Sequence, residues 1–167
     1  TGFTAYDAAA HERYVYGSAE VVGLMCLRVF LREDTRTTGE LETLTHGARQ
    51  LGAAFQNVNY LRDLVDDPES LQRGYLGDGG RLTDADRDDW VRTITAQLDD
   101  AARSIPLLPK DARAAVRSAH ALFAALTRRV AKTPASSLYE RRVRVPDPIK
   151  ALLATRSVLV TALERNR

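Results

Sequence analysis

The chain has 167 residues, 44% of them hydrophobic and 28% charged, with a formal net charge of +2. This is the length of one globular domain, able to bury roughly 70% of the surface its unfolded chain exposes. The small net charge offers no sign of a basic groove for nucleic acid, and the single Cys26 permits no internal disulfide, so a reducing, cytoplasmic setting and a buried, inert thiol are expected.

Strand alternation is nearly absent, whereas apolar residues return at intervals of three and four, which predicts an all-α chain forming a single domain over residues 1–167. A first helix is expected from about residue 5 to 31. Its apolar window, Val21 to Leu31, is interrupted by Arg28 and is shorter than the ~20 residues that span a bilayer. Within that helix, Gly17 and Gly23 each cost about 1 kcal/mol relative to alanine, and permit close packing or leave space for a ligand. A second helix follows "TRTTGE", from about residue 39 to 66, and stops before Pro68. "RGYLGDGGR" reads as a glycine-rich loop. Thr83 with Asp86 three residues later forms a capping signal for a helix over 84–104, and the acids of "TDADRDDW" complement that helix dipole without needing a metal.

"PLLPKDA" breaks the chain before a helix over 110–132, with Trp90 and Phe123 at core positions of their helices. After "TPASSLYERRVRV", Asp147 and Pro148 open a last helix reaching about residue 164. His11, His46 and His120 lie on different helices and lack zinc-ligand spacing. Tyr16 and Tyr60 belong either to a cavity wall or to the core. The opening "TGFTAYD" has neither an initiator Met nor a signal-peptide pattern, so a trimmed or downstream part of a longer protein is expected.

The informative stretch is "FQNVNYLRDLVDD". At about 100° per residue, Gln56, Asn59, Asp63 and Asp67 fall on one arc of roughly 80°, opposite Leu51, Phe55, Val58, Leu61 and Val65. A solvated face favours long side chains of mixed sign, but this arc carries short amides and two like charges at i and i+4. Short carboxylates on a rigid helix suit Mg²⁺, which takes oxygen ligands, retains waters and shares substrate phosphates. Gly52, one turn earlier on the same arc, would leave room for a ligand along the helix.

Together "YVYGSAEVVGLM", "LGAAFQNVNYLRDLVDD", "RGYL" and "RRVRVPDPIKALL" resemble the squalene and phytoene synthase family, bacterial phytoene synthases above all, in order from about Tyr14 to Leu153. The resemblance implies an all-helical isoprenoid-synthase fold around a central cavity. It also implies the head-to-head condensation of two geranylgeranyl diphosphates to phytoene through a cyclopropyl intermediate, dependent on Mg²⁺, with Mn²⁺ as a substitute, and without NADPH. By the same resemblance, Asp63 and Asp67 form the second aspartate motif that holds the metal, assisted by Asn59, with Gln56 beside it. Tyr14 would stand near the reacting carbons, and Ala19 and Gly23 would line the prenyl cavity, which favours ligand space for that glycine. Arg62, Arg73 and Arg142 would stand near the diphosphates.

Departures from the family pattern set further expectations. The family's first aspartate motif belongs upstream of Tyr14, where this sequence offers only Asp7 and Glu12, so the chain is read as the C-terminal portion of the enzyme. A partial bundle of about five to seven helices, inactive alone, is then expected to form a homodimer or to associate with the missing N-terminal half. The family's "GRxYLP" appears as "QRGYLG", and Leu122, where some relatives carry a tyrosine, receives no catalytic role. Peripheral contact with the inner face of the membrane is inferred from the oily product. The alternatives are a squalene or dehydrosqualene synthase using farnesyl diphosphate and a non-catalytic helical scaffold. Squalene formation would require NADPH, for which no glycine-rich nucleotide fingerprint is found.

Overall fold

Two threonines launch the helices nearest the site. The Thr37 hydroxyl accepts from the Glu40 amide at 3.3 Å, while the Glu40 carboxylate accepts from the Thr37 N–H at 3.0 Å. Thr83 and Asp86 repeat the arrangement at 3.2 and 2.9 Å. Each reciprocal pair satisfies two backbone donors that a helix start would otherwise leave bare.

A computed structural model describes residues 8–32, 35–65 and 81–164. Among these the chain is all-α: α1 (Ala8–Val15), a π-helical turn (Tyr16–Glu20), α2 (Val21–Phe30), α3 (Thr38–Arg62), α4 (Asp84–Ser104), α5 (Lys110–Ala131) and α6 (Asp147–Leu163). Two short 3-10 turns, Ile105–Leu107 and Ala135–Tyr139, bracket α5. Helical dihedrals run unbroken from Val15 through Val21, so α1, the π turn and α2 form one rod, the first of the expected helices. The start of that rod at residues 5–7 and the glycine-rich loop lie outside the described residues.

α3 is the hub, packing against the first rod on one side and against α4 and α5 on the other. Val58 and Leu61 of α3, Ile94 of α4, Val130 of α5 and Leu138 are essentially inaccessible and form the main core, which Val143 and Val145 extend. Phe55 stacks on Phe123, with ring centroids 3.7 Å apart and planes 15° apart. A smaller cluster of Leu27, Leu44 and Leu108 closes the opposite end.

The second helix ends earlier than its sequence pattern suggests. α3 stops at Arg62, Asp63 caps it at φ −98°, ψ 10°, and residues 63–65 form a turn.

Candidate active site

A cavity of about 330 Å³ opens between the first rod, α3 and the start of α5. Its walls are apolar, with Val22, Leu44, Leu51, Phe55 and Val116 among them, and Gln56 and Asn59 are its amide-bearing residues. The rod can approach α3 closely because both carry glycines. A Cβ on Gly52 would lie 2.5 Å from the Ala19 carbonyl oxygen, and one on Gly23 would run into the Ala48 carbonyl. The space expected at these two glycines is therefore filled by neighbouring backbone, although both residues also border the cavity.

The Asn59 Oδ1 atom is buried and has no hydrogen-bond partner among the described residues. An acceptor in that state costs about 1–3 kcal/mol unless something else satisfies it. One turn later, Asp63 accepts from Arg62 Nε at 2.8 Å and Arg62 Nη2 at 2.9 Å, and its Oδ1 also meets Arg142 Nε at 2.8 Å. Burial alone would raise the Asp63 carboxyl. The hydrogen bond and charge of Arg62, joined by those of Arg142, outweigh it and hold the group below its ordinary value. The helix end thus presents a carboxylate clamped by two guanidiniums beside an amide-tipped apolar cavity. Such an arrangement suits a molecule with an apolar tail and an anionic head.

Of the residues singled out in the sequence, Ala19, Gly23, Gln56 and Asn59 line this cavity, and Arg62, Asp63 and Arg142 meet one another at the end of α3. Tyr14 is 51% exposed and is not part of the cavity wall. Asp67 and Arg73 lie outside the described residues. Tyr16 is exposed under the Arg49 guanidinium, 5.5 Å from its ring centroid, and Tyr60 packs against Trp90.

Two expectations are corrected here. Cys26 is exposed and borders the cavity. α2 is apolar on most sides but buries only Leu27, so an apolar run there does not mean burial. A basic groove also exists despite the small net charge, between the end of α5 and residues 141–149.

Sequence reading missed Asn57, which is 4% exposed. It accepts from His11 Nε2 at 3.0 Å and donates to Gln97 at 3.1 Å, tying α1 to α3 and α4. His46 pairs with Asp100 at 3.2 Å, and His120 meets the Leu98 carbonyl at 2.9 Å. Among the described residues no group of three or more His, Cys, Asp or Glu side chains stands close enough to hold a metal.

Comparison with known proteins finds a similarity to one family. Residues 2–78, which span the first rod, all of α3 and Asp67, match the squalene/phytoene synthase family. A bifunctional lycopene cyclase/phytoene synthase of Blakeslea trispora is 40% identical over 65 residues, a stretch covering 39% of this chain and 10% of that protein. No solved structure matches the chain. The all-α architecture is consistent with an isoprenoid-synthase-type bundle, and the similarity to the squalene/phytoene synthase family lies in residues 2–78.

Proposed function

We propose that the cavity takes the isoprenoid tail of a prenyl diphosphate and that the protein joins two geranylgeranyl diphosphates head to head into phytoene. The observation that carries this reading is the buried, unpartnered Asn59 Oδ1 at an otherwise apolar cavity, one helical turn from a carboxylate held ionised by two arginines. An apolar tail enclosed with an anionic head toward Arg62 and Arg142 would satisfy both halves of that surface.

The donors suit a hard cation, since Asn59 and Asp63 offer oxygen only and the amide oxygen lacks a partner among the described residues. Asp63 and Asp67, with Asn59, would hold Mg²⁺ or Mn²⁺, which when bound supplies charge neutralisation to the diphosphate. The chain's own part is electrostatic. Arg62 and Arg142 keep Asp63 anionic and can move part of their charge onto the departing diphosphate. The apolar walls, with Phe55 fixed by its stack on Phe123, exclude water from the carbocation that ionisation leaves behind.

The full-length protein supplied with Mg²⁺ should convert geranylgeranyl diphosphate to phytoene without NADPH. Asp63→Ala and Asp67→Asn should each lower turnover at least about 100-fold while the helical circular dichroism persists. Near-normal turnover in either variant would refute the metal role. Product formed from farnesyl diphosphate alone would move the assignment to the squalene branch.

A further inference from the structure

Between the last 3-10 turn and α6 the chain runs through Arg142 to Pro146 without regular structure, and its side chains alternate. Val143 and Val145 are 9% and 5% exposed, whereas Arg142 and Arg144 are exposed. A period of two is that of an extended chain. This one has no neighbouring strand. Among the described residues the main-chain N–H and C=O groups of Val143, Arg144 and Val145 make no hydrogen bond. An extended stretch with its main chain unpaired is a template for a second extended chain.

All three of those residues line a groove of about 630 Å³. Arg128, Arg129 and Lys132 border it from the end of α5, and Arg141, Arg142 and Arg144 from the returning chain. Arg142 meets Asp63 at 2.8 Å, whereas the other five cations are exposed and make no ion pair among the described residues. The dipole of α5 accounts for cations in its last turn, but Arg141 and Arg144 belong to no helix. Like charges gathered around one concave surface repel one another until an anion enters.

We propose that this groove docks an acidic, extended peptide segment of a partner protein, which pairs its main chain with residues 143–145 as an added strand and sets its carboxylates against the groove's cations. Cations alone would suit any polyanion. Phosphate oxygens only accept hydrogen bonds, however, so the phosphates of a nucleic acid or a small ligand would leave the carbonyls of residues 143–145 unpaired. A peptide main chain brings donors as well as acceptors and satisfies both. Its alternate side chains share one face, so acids at every second position would all turn toward the arginines. A second copy of this chain does not supply such a segment from its described residues. The acidic run that opens α4 is helical, and within it Asp84 and Asp88 pair with Arg87, Asp86 caps the helix and Asp89 pairs with Arg92. Docking here is independent of the chemistry proposed for the cavity.

The test is fluorescence anisotropy of the full-length protein with a dye-labelled peptide of about six residues in which glutamate and threonine alternate. Binding is expected, weakening as salt is raised. Arg128→Glu combined with Arg144→Glu should weaken it at least about tenfold with helical circular dichroism unchanged. Two further peptides keep every carboxylate but are N-methylated, one at its glutamates and the other at its threonines. The one that loses the donors of the paired edge should bind at least about tenfold more weakly than the parent peptide. No binding of the parent peptide, full binding to the double variant, or full binding by both N-methylated peptides overturns the proposal. So does an oligothymidylate that binds more tightly than the peptide and is weakened by the same double variant.

Discussion

Asn57 and Asn59 are two residues apart on α3, both with buried polar atoms, and they ask for opposite experimental outcomes. Asn57 spends its amide on His11 and Gln97, so Asn57→Leu strands both partners and should cost about 1–3 kcal/mol of stability. Asn59 Oδ1 has no partner to strand among the described residues. Asn59→Leu should therefore leave the denaturation midpoint unchanged or raise it, while lowering the proposed phytoene formation at least about 100-fold. An Asn59→Leu variant that unfolds, or one that turns over normally, would remove the amide from the site. The sequence could point to Asn59 because it shares an arc with Gln56 and Asp63. It could not point to Asn57, whose partners come from α1 and α4, 46 and 40 residues away.

Helix positions were legible because their causes are local: apolar residues at three and four, capping threonines, and prolines at the breaks. The π turn was not, since nothing in "YGSAE" betrays a widened turn before α3 packs against it. The two glycines of the first rod look alike in sequence and differ in the fold. A Cβ at Gly17 meets nothing within 4 Å, whereas one at Gly23 would collide with the backbone of Ala48. Gly17→Ala should thus stabilise by up to about 1 kcal/mol through helix propensity. Gly23→Ala must push α2 away from α3 and should cost about 1–3 kcal/mol. Chemical denaturation of the two variants decides this, and equal effects would mean that the rod and α3 are not in close contact.

Net charge is a sum and conceals where charges gather. "TRRVAK" and "ERRVR" stand apart in sequence, and the return of the chain after α5 brings their cations to one groove. Carboxylates hold the ends of this region. Asp63 clamps Arg142 to the end of α3, and Glu164 clamps α6 to α5 through Arg113 at 2.9 Å and Arg117 at 2.6 Å. Both acids lie below their ordinary values in the fold. In Asp63 burial opposes the shift but arginine hydrogen bonds and charges exceed it; in Glu164 the Arg113 hydrogen bond leads, burial opposes, and Arg117 adds to the lowering. A carboxylate lowered by folding binds fewer protons in the native state than in the unfolded one, so its contribution is fully present above the unfolded value of about 4 and disappears as pH falls through the folded value. Stability should therefore be flat from pH 7 to about 5 and decline below it. Glu164→Gln cannot titrate, so its stability should start lower at pH 7 and fall less steeply into acid than that of the unaltered chain. Urea midpoints measured between pH 7 and pH 3 test this, and an unaltered chain whose midpoint holds steady or rises toward pH 3 would show that these clamps do not stabilise the fold.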